Sequence, residues 1–256
     1  MELNRDYESA AIYKWRKKRK KAFVLFICIV GICFRVTRMV RVEDKTTVKV
    51  HNMHTEQNEK AIRYVASNMI KEDPKIAITF DDGPSPAWTP QLLDGLKERN
   101  VKATFFLIGE NAKNNPELVK REAEEGHLIG NHTYHHVEIT RVPDETAQEE
   151  ILMTNEVITG ITGEEVSYMR PPFGVWQKNL ERKLDVMPVL WTIDPLDWTT
   201  DNEDEIINKV VTQAGENDII LLHDCYESSV NAALRIVDIL QKEGFEFVTV
   251  DELIMN

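Results

Sequence analysis

The stretch Lys75–Ser85, KIAITFDDGPS, decides the fold. Ile76, Ala77, Ile78 and Phe80 place apolar side chains on both parities of a short run. Such a run is a strand buried on both faces, the kind found in parallel sheets covered by helices. It ends abruptly in Asp81 and Asp82, and the Gly83-Pro84 pair that follows turns the chain and fixes both carboxylates at the strand's end. In sheets of this kind chemistry collects at the carboxyl ends of strands, which is where this aspartate pair falls.

Working outward, the same texture recurs toward the C-terminus. KATFFLIG, PVLWTI, NDIILLHD and FEFVTV read as further short buried strands. Helical patterns over Pro90–Arg99, Pro116–Glu125, Glu145–Thr159, Glu203–Gln213 and Val230–Lys242 separate them. Strands alternating with helices predict an α/β domain over residues 74–256 with a parallel sheet, open or closed as a barrel.

Adjacent carboxylates repel one another unless a proton or a cation holds one of them. The segment NHTYHH supplies partners for a cation: His132 and His136 are four residues apart, a spacing that on a helical turn puts two imidazoles on one face. His135 competes at spacing three. Two imidazoles and one carboxylate leave an open position for water on a divalent ion, and zinc, cobalt and nickel all suit that donor set.

The net charge of −12 is unevenly spread. Residues 1–41 hold 11 Lys or Arg and 3 acidic residues, so the remainder carries 20 basic against 40 acidic side chains. A body this acidic is a poor partner for nucleic acid, whose phosphates it cannot neutralise, and no obligate protein partner is implied. The basic run Trp15–Lys21 is followed at once by AFVLFICIVGICF over Ala22–Phe34, an order typical of membrane targeting. Thirteen apolar residues are too few to span a bilayer, but extension to Val40 with Arg35 and Arg38 snorkelling near the outer end makes a span. Residues 1–21 are therefore expected to form a cytoplasmic tail and residues 22–40 an uncleaved anchor helix on a bacterial cell membrane. Residues 41–73 would be a stalk, and the domain would face outward. A cleaved signal, giving a secreted domain, is the alternative. The stalk's His51 and His54 lack a third ligand nearby, and a helix is predicted over Glu59–Ile70.

Only Cys225 lies in the body, so no internal disulfide can form there and a buried, chemically silent residue is expected. His127, in GHLIGNH, is read as structural.

Five segments in order, TFDDGPS (79–85), HTYHH (132–136), RPPFG (170–174), DPLDW (194–198) and LLHD (221–224), resemble the motifs of the carbohydrate esterase family 4 polysaccharide deacetylases, or NodB-homology domains. The resemblance spans essentially the whole domain and implies a distorted (β/α) barrel of seven or eight strands. It implies metal ligation by Asp82, His132 and His136, with Asp81 as general base and Arg170 as its cationic partner. It also implies a backbone N–H at Phe173 for the oxyanion, His223 as general acid raised by Asp197, and an acetyl pocket shaped by Trp198 and Leu221. Asp194 would support this network or cap a loop.

The chain departs from the family at His135-His136-Val137, where Ser and His-Pro are usual, so His135 stays open as a competing or fourth ligand. The implied reaction is hydrolysis of N-acetyl groups on an amino-sugar polymer. An outward-facing domain suggests peptidoglycan N-acetylglucosamine; chitooligosaccharide deacetylation, O-acetyl xylan esterase activity and an inactive sugar-binding domain are the alternatives.

Overall fold

A computed structural model describes residues 73–178, 180 and 184–255. The expected basic tail, the anchor, and the stalk with His51, His54 and the helix over Glu59–Ile70 lie outside these residues, Asp73 excepted. Among the described residues no helix is long and apolar enough to cross a membrane.

Strand β1 (Lys75–Asp81) lies between β2 and β6 in a parallel sheet. On one side come β2 (Thr104–Leu107), β3 (Leu128–Asn131), β4 (Tyr168–Met169) and β5 (Met187–Pro188), and on the other β6 (Ile219–His223). The short β7 (Glu246–Phe247) pairs with the first residues of β1, so the sheet has seven strands. Helices α1 (Thr89–Glu98), α2 (Gly109–Asn114), α3 (Pro116–Glu124), α4 (Asp144–Thr162), α5 (Glu203–Val211), α6 (Glu227–Lys242) and α7 (Val250–Met255) fill the connections.

Strand alternation sorts the apolar residues of β1, β2 and β6 onto two faces. Ile76, Ile78 and Phe80 of β1, Phe105 and Leu107 of β2, and Ile220 and Leu222 of β6 face outward, against Leu92 and Leu96 of α1 and Ile236 and Leu240 of α6. The opposite parity, Ala77 and Phe106, packs inward with Val189, Val248 and Leu253. Because β1 is apolar on both faces, only Thr79 and Asp81 on its inner parity are left to carry chemistry, and both are buried.

The helices begin and end where local chemistry dictates. Pro90 and Pro116 occupy first turns, where a missing N–H costs nothing. Asn202 caps α5 by accepting the amide of Glu205 at 3.2 Å. Helix α4 starts on Asp144 and Glu145, which complement its dipole, and stops at Gly163 in the left-handed region (φ 78°).

Three expectations change. The segment PVLWTI is regular strand only at Pro188; beyond it the chain leaves β4 and reaches β6, where Leu221 N donates to Ile193 O at 2.9 Å. The fold is thus a parallel half-barrel whose two edges are spanned by one extended segment. In FEFVTV the strand stops at Phe247, because the Val250 amide turns to Thr104 Oγ1 (3.0 Å) and α7 starts there. Finally, His132–His136 is a loop and contains no helical turn: Thr133 (φ 62°) and His136 (φ 56°) are left-handed, and side chains take the amides a helix would have used.

Candidate active site

All the polar motif residues stand at the carboxyl ends of the strands. Asp81 ends β1 and is register partner of His223, which ends β6. Adjacent strands lie about 4.8 Å apart, so these two groups are held side by side by the ladder itself.

Asp82 follows in the left-handed conformation (φ 72°), which redirects its carboxylate away from that of Asp81. The turn is clamped from outside: Asn111 Nδ2 donates to Asp82 O at 2.8 Å, Ile108 N to Gly83 O at 3.1 Å, and Ser85 N to Thr89 Oγ1 at 2.7 Å. Thr89 in turn donates to the buried Asp224. Gly83 has no room for a side chain, since a Cβ there would lie 2.5–2.8 Å from the Asp224 carboxylate. Gly83→Ala is expected to cost about 1–3 kcal/mol by overpacking, read from denaturant unfolding of metal-free protein.

His132 is buried, and its Nδ1 lies 2.6 Å from Arg170 O. A carbonyl can only accept, so Nδ1 carries the proton and Nε2 presents its lone pair to the pocket. Nε2 of His132 and Nε2 of His136 each lie 3.4 Å from Asp82 Oδ1. That oxygen is buried and accepts no hydrogen bond. The three ligand atoms lie within 4.8 Å of one another. A buried anionic oxygen without a donor, faced by imidazole lone pairs, fits a divalent cation. Burial pushes the Asp82 carboxyl up, but His132, with His223 and His136, holds it below the ordinary carboxylate range. Burial and the neighbouring His132 keep His136 below its usual value, in the neutral form a ligand needs.

Arg170 is fully buried within the half-barrel. Its Nη1 donates to Asp81 Oδ1 at 2.8 Å and to Thr79 Oγ1 at 2.7 Å, and Nε and Nη2 reach Val189 O and Leu190 O at 3.2 and 3.4 Å. The guanidinium stacks 4.3 Å from the Phe106 ring and 5.6 Å from that of Trp191. Burial draws its pKa down while Asp81 opposes that.

His223 is held by one carboxylate at two points. Asp197 Oδ1 lies 2.8 Å from Nδ1, and Oδ2 accepts the His223 amide at 2.8 Å. Burial works against the imidazolium, but the hydrogen bond and charge of Asp197 prevail and lift His223 to about 9. The ring edge of Phe173, whose backbone is left-handed (φ 60°), packs 5.0 Å from His136, and the side chain is 63% exposed. Leu221 is buried on the same face of β6 as His223, and Trp198 is exposed directly after Asp197.

Other expectations resolve plainly. Asp194 caps the loop before Asp197, accepting Leu196 N at 2.9 Å. His135 stands apart from the three ligand atoms and pairs with Glu150 at 2.7 Å. His127 accepts the Ala103 amide on Nδ1 (3.1 Å) and burial holds it down at about 4, so it is a neutral core residue. Burial pushes the Cys225 thiol up to about 12, which leaves it chemically silent. Sequence reasoning gave no role to Thr79, Glu150, Asn131 or Asp224. Period-two spacing from Asp81 points to Thr79, whereas the other three act through loops that periodicity does not describe.

A family model described as polysaccharide deacetylase matches residues 68–189. Peptidoglycan-N-acetylglucosamine deacetylase PgdA of Listeria monocytogenes is 37% identical over 216 residues, covering 82% of this chain and 46% of that protein. A peptidoglycan-N-acetylglucosamine deacetylase of Bacillus cereus is 39% identical over 199 residues, covering 75% of this chain and 93% of that protein. The structure of peptidoglycan deacetylase PdaC from Bacillus subtilis superposes with a TM-score of 0.70 at 38% identity, covering 71% of this chain and 90% of the other. The chain thus spans about half the length of the Listeria relative. With the half-barrel and the gathered carboxylates and imidazoles already in place, these similarities mean that the chain belongs to the polysaccharide deacetylase family.

Proposed function

We propose that this chain is a metal-dependent hydrolase that removes N-acetyl groups from an amino-sugar polymer, peptidoglycan N-acetylglucosamine first among them, and releases acetate. The observation that carries this is the convergence of Asp82 Oδ1 with the Nε2 atoms of His132 and His136, beside Asp81 and His223. A divalent cation held there, zinc by preference and cobalt or nickel by donor type, supplies an acidified water and a polarised acetamide carbonyl.

The chain's own groups divide the remaining work. Asp81, aimed by Arg170 through Oδ1, accepts the proton of the attacking water at its other oxygen, Oδ2, which lies 3.8 Å from His132 Nε2. The backbone N–H of Phe173 donates to the oxyanion. His223, as the imidazolium oriented by Asp197, delivers a proton to the departing amine. Leu221 and Trp198 wall the acetyl group and exclude water. Residues 22–40 as a membrane anchor, with the domain on the outer face of the cell, complete the proposal and rest on the basic-then-apolar order of the N-terminus.

Acetate release from muropeptides, with the product lighter by one acetyl per sugar, tests the substrate. Release from chitin oligomers alone would replace peptidoglycan with the chitooligosaccharide reading, and release from neither would remove the deacetylase assignment. The proton donor makes a separate prediction. The active form of His223 is the cation, so the rate should fall as pH rises through about 9. Asp197→Asn removes the charge that raises it, so the alkaline limb should move to lower pH. An alkaline limb that stays in place in this variant would refute the pairing.

A further inference from the structure

The loop that carries both imidazoles, Asn131–Val137, leaves β2 and β4 after His132 N donates to Leu107 O (2.9 Å) and Asn131 O accepts Arg170 N (2.8 Å), and from there its amides turn to side chains. Thr133 N turns back to Asn131 Oδ1 at 2.7 Å, and Val137 N to Thr133 Oγ1 at 3.1 Å. The Thr133 and Tyr134 carbonyls accept Gly109 N and Glu110 N from α2, at 2.9 and 3.0 Å. Between these, two successive amides converge on one acceptor: Tyr134 N and His135 N donate to Glu150 Oε2 at 3.0 and 2.8 Å. The other oxygen, Oε1, takes His135 Nδ1 at 2.7 Å. Glu150 is 6% exposed and stands on α4, whose Ile151 O and Asn155 Oδ1 also hold the Asn131 side chain, at 2.8 and 2.6 Å.

Consecutive amides closing on an anion form a concave nest, and bonds to an ionised acceptor are the stronger kind. Here the anion is internal to the protein. It takes the amides that a helical turn through the H-x-x-x-H spacing would have given to backbone carbonyls, and so keeps the turn in the conformation with Thr133 and His136 left-handed. That conformation aims both Nε2 atoms at Asp82 Oδ1, each at 3.4 Å.

We propose that Glu150 is a positioning residue for the metal centre, folding the Thr133–His136 turn around its carboxylate so that two imidazoles meet one ion without Glu150 touching it. This rests on the metal-site reading of Asp82, His132 and His136. Three properties follow. Affinity for the ion depends on a helix residue outside the five motifs. The turn is preformed in metal-free protein. The essential contact is with the two amides, and the His135 ring is an addition to it.

The test measures zinc binding by competition with a chromophoric chelator on the purified chain, for wild type, Glu150→Leu, Glu150→Gln, His135→Ala and Asp82→Ala. Hydrogen exchange at the Tyr134 and His135 amides is followed in metal-free protein. Glu150→Leu is expected to weaken zinc about 10–100-fold, as loss of an outer-shell partner does, and to speed exchange at both amides. Glu150→Gln, which keeps one acceptor oxygen, should lose less, and it remains informative if the leucine variant fails to fold. His135→Ala should weaken zinc less than either. A purely structural role would lower the unfolding midpoint and leave zinc affinity intact at temperatures where the variants are folded. Wild-type affinity in both Glu150 variants, alongside its loss in Asp82→Ala, would overturn this inference alone. Retained affinity in Asp82→Ala would overturn the metal-site reading and this inference with it. Equal loss in His135→Ala and Glu150→Leu would show that the carboxylate acts through the ring, against the proposal.

Discussion

Asp82→Ala should yield protein that folds, holds no zinc at the site and releases no measurable acetate. Asp82 Oδ1 is the sole carboxylate oxygen of the three-atom ligand set and the one with no donor of its own. Two neutral imidazoles alone neither balance the ion's charge nor fix its position. Loss of an outer-shell partner in metal sites costs about 10–100-fold, so loss of a ligand should exceed about a hundredfold in both affinity and kcat/KM. The residue change carries a second effect that must be separated. Asp82 is left-handed (φ 72°), where alanine is strained by about 1–2 kcal/mol. Asparagine tolerates that conformation, so Asp82→Asn should unfold like wild type and still lose the metal. Elemental analysis of both variants, with circular dichroism for the fold, checks this. Stoichiometric zinc in either would dismantle the proposed centre.

Arg170→Met should destabilise the domain by about 3–5 kcal/mol, because it leaves the Asp81 carboxylate buried without its cation. It also withdraws donors from Val189 O and Leu190 O. Activity should fall with stability, since Asp81 loses the donor that aims it. Arg170→Lys should rescue little: a single ammonium cannot reproduce a fork that bonds Asp81 and Thr79 while stacking on Phe106. Denaturant unfolding together with kcat/KM measures both effects. An unfolding midpoint equal to wild type would show that the pair contributes nothing to holding the half-barrel together.

What could be read from residues alone follows from which interactions are periodic. β1 and β6 were legible because a short run apolar on both parities fits a buried strand and little else, and their polar endings located the site. Helices α1 and α3 were legible from prolines in their first turns. The His132–His136 spacing named two imidazoles that the fold does bring together, but for a different geometric reason. A helix brings residues four apart together, yet here two left-handed residues and a carboxylate from α4 do so, and no local pattern announces Glu150. β3 and β4 are four residues or fewer and extend the edge that β2 offers, so their own residues show little strand signal, whereas β5 was read too long because PVLWTI continues as extended chain beyond it. Asp197 was identifiable through the motif resemblance, but its double hold on His223, through ring and amide, needed the fold.

The extended segment after β5 has a mechanical consequence. Regular ladders resist parting cooperatively, whereas a join made by a few bonds around Ile193 yields first. Arg170 grips the walls on either side of that join, through Val189 and Leu190 on one flank and Thr79 and Asp81 on the other. That join is therefore stitched by the same side chain that holds Asp81, the proposed base, so prying it apart would displace that carboxylate before any strand is lost.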